Sequence, residues 1–334
     1  MNITYGFPAA GKALAFALVA AIGAIGSNAQ AQSTTWRMAS AFPDSVFHTQ
    51  NIHKFIADVE KQTGGRLKIR LSQNSSLYKM PEIKRAVETR QVQIAEYMPS
   101  AYGNEVPIYN VDVVPYLVAG YDGAWKLYQA TKPLLVEQAT KDGLIFLYSV
   151  AWPGGGFYSN RAIEKPEDLV GNKMRSAAPI TGKWTDRLKM TSTVIQLPEL
   201  AQAFSTGMVN MMFTSSPMAP TIQAWQFTKY FYDLEAILGK NIVVVNKAAF
   251  DALAPDIRKA VLDAAAVAEK RGWEMSKTAN EGYKKQMRDN GMWVGPVKAD
   301  IEKVLVREAK VVAKEWAATL APKERAAIEP FLEQ

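Results

Sequence analysis

The feature that most constrains the fold is the regular alternation of strand-like and helix-like segments from residue 34 onward. Ile52, Phe55, Ile56 and Val59 repeat at helical spacing, and the next segment, "RLKIRLS", alternates apolar and polar residues. Strands that alternate with helices are typical of α/β folds. The same patterns predict strands at 34–42, 92–98, 143–152, 193–197, 208–213, 241–247 and 293–297, a helix at 121–142 interrupted at Pro133, and a long helix from Pro255 to about residue 290.

The first 31 residues have the features of an export signal. One cation, Lys12, precedes the apolar run "ALAFALVAAIGAIG", and the small residues "SNAQA" that follow match a signal-peptidase site. The run is short for a transmembrane helix, which needs about 20 residues. We therefore predict that residues 1–31 are removed, that Gln32 begins the mature protein, and that this protein is periplasmic.

Composition narrows the possible functions. Cysteine is absent, which excludes disulfides and thiolate chemistry. Without Lys12 the chain has 38 basic and 32 acidic residues, a net charge of +6, and both signs are mixed along the sequence. Nucleic-acid binding needs a clustered basic patch, so no nucleic-acid partner is expected. A mild positive field favours small anionic ligands.

Catalytic motifs are missing from the sequence. Only two histidines occur, His48 and His53, and no phosphate loop, nucleophile elbow or zinc motif is present. The triple glycine at 154–156 lacks the lysine of a phosphate loop and is interpreted as a hinge or tight turn. His48 is either a general base or ligand contact, or a loop histidine near a helix cap. No cluster has metal-ligand spacing, so neither a metal nor another cofactor is expected.

Aromatic and hydroxyl residues recur where predicted strands end. In open α/β sheets ligands bind outside the carboxyl ends of the strands, and several such loops form a concave site. Core packing is the alternative interpretation for each aromatic residue. With His48, the candidate ligand-binding residues of this kind are Tyr78, Tyr97, Trp152, Phe213, Thr214 and Ser215.

The stretch "DLVGNKMRS" places Arg175 in a short predicted strand. Gly171 permits the turn before it, and Met174 is a predicted core position. Neighbouring side chains of a strand point to opposite faces, so Arg175 points away from the core side of Met174. A guanidinium binds a carboxylate through two parallel hydrogen bonds. Arg175 is therefore a candidate anion-binding residue, and a solvated surface arginine is the alternative.

Several segments, taken in order, resemble one family. "GFYSNRAI" with "EDLVGNKMRS", "LPELAQAFSTGMVNMMF", "NIVVVNKAAFDALAPDIRKAVLDAA" and "FPDSVFHTQNIHKFIADVEKQTGGRLKIRL" are similar to the DctP-type solute-binding proteins of tripartite ATP-independent periplasmic (TRAP) transporters. The resemblance implies a two-lobed α/β periplasmic binding protein fold of the Venus-flytrap type, with a long helix spanning both lobes. We assign residues 33–152 plus 241–285 to lobe I, and residues 153–240 plus 286–334 to lobe II.

The resemblance also implies a role for Arg175 and a set of partners. Arg175 would pair with the ligand carboxylate in the cleft, and membrane permease subunits would receive the ligand. The polar residues that sugar-acid-binding members carry are largely missing, since Ala178 stands where they have asparagine and "VNMMFTSSP" replaces a polar segment of theirs. Members that bind a keto acid through a metal carry a glutamate in the region that matches 210–217, and this region contains no acid here. We therefore expect a monomeric receptor for a small, aromatic or α-keto/hydroxy carboxylate, without metal. An exported hydrolase or lyase using His48, and a surface-anchoring structural protein, are the alternatives.

Overall fold

The computed structural model describes residues 1–4, 6, 33–176, 178–195 and 199–333, in which strands and helices alternate around two β-sheets. The prediction of an α/β fold is confirmed. Apart from residues 1–4 and 6, the predicted signal segment 1–31 lies outside the described residues. Within the part that is described, we find no helix with the length and apolar character needed to cross a membrane.

The predicted strands and helices occur in the predicted order, and the structure adds two strands, Gly155–Ser159 and Tyr230–Asp233, which the sequence patterns do not predict. The strands are β1 (Thr34–Ala39), β2 (Leu67–Ser72), β3 (Ile94–Tyr97), β4 (Leu144–Ala151), β5 (Gly155–Ser159), β6 (Lys173–Ser176), β7 (Thr191–Val194), β8 (Met211–Ser215), β9 (Tyr230–Asp233), β10 (Lys240–Asn246) and β11 (Trp293–Gly295). The helices are α1 (Phe47–Gln62), α2 (Met80–Glu88), α3 (Gly120–Lys141), α4 (Pro179–Arg187), α5 (Leu200–Ser205), α6 (Met218–Ile222), α7 (Lys247–Asp251), α8 (Pro255–Asp289), α9 (Ala299–Ala317) and α10 (Pro322–Leu332).

The first sheet has the strand order β2-β1-β3-β10-β4. Strand β1 is parallel to β2 and β3, whereas β10 is antiparallel to β3 and β4. Strands β3 and β10 are buried along their whole length, as expected where helices cover both faces of a sheet. Because β1, β3 and β4 run in the same direction, Ser40, Tyr97 and Trp152 lie at the same end of the sheet.

The second sheet has the strand order β11-β9-β5-β8-β6-β7, with β6 parallel to β7 and β8. Its strand β5 begins with two of the three consecutive glycines. A Cβ on Gly155 would lie 2.4 Å from the ring of Phe213, and one on Gly156 would lie 2.3 Å from the carbonyl oxygen of Tyr232. The interpretation of these two residues as a tight turn is wrong, because they are strand residues whose neighbours leave no room for a side chain, and the hinge stays a prediction.

Helix α8 packs against both sheets. It begins at Pro255 and ends at Asp289, close to the predicted limits. It contacts α1 and β4 beside the first sheet, and α6 and β11 beside the second. At Gly272 the helix backbone lies close to β4, because a Cβ on this residue would be 2.3 Å from Cγ2 of Val150. The predicted long helix is confirmed, and it contacts elements beside both sheets.

The interruption predicted at Pro133 is wrong, because α3 continues through it. Pro133 is exposed, so water can hydrogen-bond the carbonyl that lacks its helical partner. The neighbouring Leu134 and Leu135 are buried, and the helix packs against β4. Tertiary packing therefore stabilises the helix despite the missing hydrogen bond. The strand predicted at 208–213 is also displaced, since β8 spans Met211–Ser215.

The two sheets are built from different parts of the chain. The first sheet is built from strands within 34–151 and 240–246, and the second from strands within 155–233 and 293–295. This division is compatible with the predicted lobe boundaries, which stay a prediction.

Candidate functional site

Arg175 lies in β6 and is buried, with 6% of its surface exposed. Its Nε donates a hydrogen bond of 2.9 Å to the carbonyl oxygen of Ile195, and no carboxylate of the described residues forms an ion pair with its guanidinium. Burial lowers the pKa of Arg175 to about 10, so the group stays cationic at neutral pH. A buried cation without a counter-charge is destabilising until an anion pairs with it. Arg175 is therefore not a solvated surface residue, and it is suited to bind an anion.

The core prediction for Met174 is confirmed, and the same strand geometry separates Arg175 from Phe213. Met174 is fully buried. Arg175 pairs with Met212 of β8, so these two side chains share a face of the sheet. Phe213 points to the opposite face, where its ring lies edge-on to Trp184 with the centroids 5.7 Å apart. The structure thus places Phe213 in the core on the other side of the sheet from Arg175.

Trp152 and His48 lie together at the end of β4, in an aromatic cluster with Phe42 and Phe47. The ring centroids of Trp152 and His48 are 4.1 Å apart, and His48 and Phe47 are separated by the same distance. Phe42 lies 5.0 Å from Trp152. Met218, at the start of α6 next to the second sheet, is buried in the same apolar core. The core around this cluster therefore includes a residue of the helix that follows β8 of the second sheet.

A chain of buried hydrogen bonds orients Trp152. Its indole N–H donates to Oδ1 of Asn241 at 2.7 Å, and Nδ2 of Asn241 donates to Oε1 of Glu96 at 2.8 Å. The hydroxyl of Ser40 donates to the other Glu96 oxygen at 2.6 Å. Burial raises the pKa of Glu96 to about 7, although these two hydrogen bonds favour the charged form. The orientation of the indole is therefore stabilised by hydrogen bonds that involve β10, β3 and the residue after β1.

The two tyrosine candidates, Tyr78 and Tyr97, pack in a different apolar core from Trp152. Tyr97 is fully buried, and its ring lies edge-on to Tyr102 at 5.3 Å. Strand alternation puts Tyr97 on the face of β3 opposite to Glu96. Tyr78 is half-buried in the loop before α2, and its hydroxyl donates to Oε1 of Gln91 at 2.8 Å. The structure therefore brings neither tyrosine onto the Glu96 side of the first sheet.

Thr214 and Ser215 end β8 and are half-buried. Strand alternation places Thr214 on the same face as Arg175, whereas Ser215 points the other way. The carbonyl oxygen of Ser215 accepts a hydrogen bond of 3.2 Å from the hydroxyl of Tyr158. The described residues contain no group of three or more histidine, aspartate or glutamate side chains able to bind a metal ion.

Sequence reasoning missed Asn241, Glu96 and Ser40. Each had a weak signal: Ser40 and Glu96 are polar residues at the ends of apolar strands, and Asn241 directly precedes the apolar run "IVVV". Their connection through Trp152 was not visible, because the hydrogen bonds join residues up to 145 positions apart. Only strand pairing brings them together.

Comparison with known proteins identifies the family. The DctP family of bacterial extracellular solute-binding proteins, family 7, matches residues 38–319. The chain belongs to the DctP family. Its solved relatives include DctP6, a Bordetella pertussis extracytoplasmic solute receptor binding pyroglutamic acid, which is 40% identical, with 90% of this chain and 100% of that chain covered and a TM-score of 0.87. A marine metagenome TRAP solute-binding protein specific for pyroglutamate is 30% identical, with coverage of 91% and 100% and a TM-score of 0.86.

Membership of the DctP family defines the class of function. The C4-dicarboxylate-binding periplasmic protein DctP of Rhodobacter capsulatus is 28% identical over 71% of this chain and 72% of its own length. The family consists of extracytoplasmic receptors that bind small organic acids and work with a TRAP membrane permease. The predictions of a TRAP receptor with a two-lobed fold, and of a protein that is not an enzyme, are confirmed by these relatives. A glucuronate-bound protein only 18% identical, with a TM-score of 0.81, shows the fold alone.

Proposed function

We propose that this DctP protein is a receptor for pyroglutamate or a closely similar small cyclic monocarboxylate, whose carboxylate pairs with Arg175. The observation that carries the proposal is the buried guanidinium of Arg175, which has no acidic partner among the described residues. Three relatives that are 30–40% identical bind pyroglutamate, and this supports the choice of ring acid. The sequence predicts a small carboxylate as the ligand, and these relatives favour a lactam acid within that class.

The candidate residues fit the charge and the ring of such a ligand. The guanidinium fork of Arg175 matches one carboxylate. Trp152 and His48 offer an apolar wall for a ring, and Thr214 offers a hydroxyl on the face of Arg175. These residues provide one cation and otherwise neutral groups. That balance favours a monocarboxylate over a dicarboxylate, which would leave a second charge unpaired.

The remaining features of the receptor are proposals of the same kind. The ligand lies in the cleft between the lobes, with residues 33–152 and 241–285 in lobe I and residues 153–240 and 286–334 in lobe II. Residues 1–31 are an export signal, and the mature receptor is a periplasmic monomer. Tyr78, Tyr97, Phe213 and Ser215 contribute to the shape of the site through packing and not through direct polar contact.

Isothermal titration calorimetry tests the proposed function. The purified protein is titrated with L-pyroglutamate, proline, succinate and an aromatic α-keto acid, and then with the best acid after Arg175→Ala. Loss of a buried charge partner of a bound carboxylate lowers affinity by about 30-fold or more. Arg70, an exposed arginine of β2, is the matched control, and Arg70→Ala should leave affinity unchanged. Undiminished affinity in Arg175→Ala would refute the proposal.

A further inference from the structure

His48 has a defined tautomer. The Nε2 of His48 lies 3.2 Å from the carbonyl oxygen of Val150. A carbonyl oxygen only accepts hydrogen bonds, so Nε2 carries the proton. In a neutral imidazole the other nitrogen, Nδ1, is then an acceptor. The backbone at the end of β4 thus determines which hydrogen-bonding role Nδ1 has.

The imidazole is neutral because of its surroundings. Only 2% of His48 is exposed, and Phe47 and Trp152 each have ring centroids 4.1 Å from it. No acidic side chain of the described residues forms an ion pair with His48. Burial among these apolar rings lowers the pKa of His48 to about 3. His48 therefore stays neutral throughout the neutral pH range.

The Nδ1 of His48 has no hydrogen-bond partner among the described residues, although it is completely buried. An unpaired buried acceptor is unfavourable, because it has lost its hydrogen bond to water. What the site lacks is a donor, and the described part of the chain does not supply one. Among uncharged ring atoms of small acids, an N–H meets this requirement and an oxygen does not.

We propose that Nδ1 of His48 accepts a hydrogen bond from the lactam N–H of the bound acid, and that this contact makes the receptor select ring acids with an N–H group over their oxygen isosteres. The inference rests on the proposed pyroglutamate function and adds the residue that determines specificity. Arg175 recognises the carboxylate, whereas His48 distinguishes the ring atom. A site built around one hydrogen bond rejects an analogue that lacks the matching group, because the buried polar atom is left unpaired.

The test compares L-pyroglutamate with 5-oxotetrahydrofuran-2-carboxylate, the lactone that differs only in an oxygen for the N–H. We expect wild type to bind the lactam about 10- to 100-fold more tightly. His48→Phe retains an aromatic ring without an acceptor and should bring the ratio close to one. His48→Asn places an amide oxygen near the position of Nδ1 and should restore part of the preference. His53→Phe, at the exposed histidine that pairs with Asp44, is the control and should retain the full ratio.

The outcomes separate this inference from the proposed function. If wild type binds both acids equally well, the function stands and the role of His48 is wrong. The role is also wrong if His48→Phe still prefers the lactam. If wild type binds neither acid, the pyroglutamate function fails and the inference fails with it. Should the variants not fold, 15N NMR of wild type decides: the Nδ1 resonance of His48 must move upfield with L-pyroglutamate, and an unmoved resonance overturns the inference.

Discussion

The indole N–H of Trp152 donates a hydrogen bond of 2.7 Å to the side-chain oxygen of Asn241, a residue 89 positions further along the chain. Asn241 in turn donates to Glu96. The aromatic surface offered to a ligand is thus oriented by polar residues behind it, and not by packing alone. This relationship links the stability of the first sheet to the shape of the candidate site.

We expect Asn241→Ala to lower both stability and ligand affinity. It removes the acceptor of the Trp152 indole and a donor to Glu96, and leaves two buried polar groups unpaired. The free energy of unfolding should fall by about 2–5 kcal/mol, as measured by urea denaturation. Asn290→Ala, at an exposed asparagine after α8, is the matched control and should change it by less than about 1 kcal/mol. Wild-type affinity in Asn241→Ala would show that the orientation of the indole is unimportant.

The stability of the protein should depend on pH through Glu96. Its pKa in the folded protein is about 7, above its ordinary value of 4.5, so the native state binds this proton more tightly than the unfolded state does. The free energy of unfolding therefore falls as pH rises from about 4.5 to about 7, by about 3 kcal/mol in total from this group.

Glu96→Gln isolates this contribution, because it keeps the size of the side chain and removes the titration. The stability of Glu96→Gln relative to wild type should be greater at pH 8 than at pH 5, by an amount of that order. Comparing the two proteins also cancels the opposite trend from His48, whose lowered pKa makes stability rise with pH. Parallel stability curves for the two proteins would contradict the raised pKa of Glu96.

Replacing Arg175 should have opposite effects with and without ligand. In the free protein the buried guanidinium has no counter-charge among the described residues, so Arg175→Met should raise the free energy of unfolding by about 1–3 kcal/mol. With L-pyroglutamate at about 100 times its wild-type dissociation constant, wild type should gain about 2.7 kcal/mol, and the variant, which binds about 30-fold or more weakly, should gain less than about 1 kcal/mol. Urea denaturation with and without ligand measures both effects. A less stable free Arg175→Met protein would count against an unpaired cation.

Two glycines of α8 provide a paired test of the helix packing. Glycine-to-alanine substitution in an exposed helix interior stabilises by up to about 1 kcal/mol. Gly282 should behave in this way, because no atom lies within 4 Å of the position that a Cβ would take there. At Gly272 a Cβ would lie 2.3 Å from Val150 and 2.8 Å from Asn51, so Gly272→Ala should destabilise by about 1–3 kcal/mol. Thermal unfolding of the two variants gives the comparison. Equal shifts would mean that α8 does not pack as described.

Much of the fold was predictable because it depends on local periodicity. The limits of α8 follow from Pro255 and from the residues near Gly291, and the buried run of β10 follows from its apolar composition. β5 and β9 were missed because they lack such a local pattern. β5 begins with glycines, and the aromatic run of β9 shows no alternation of apolar and polar residues. Pairing with their neighbours makes both segments strands, and this pairing is not encoded locally.

The sequence by itself determined the family, the order of the strongly patterned elements and the opposite orientation of Met174 and Arg175, since each depends on patterns within single segments of the chain. The tertiary structure alone decided that Phe213 lies on the face opposite to Arg175, and that His48 and Trp152 form one cluster oriented by Asn241. These relationships depend on strand register and on which helix covers which face. A shift of one residue in register reverses every side chain of a strand, so no pattern within a single segment can specify them.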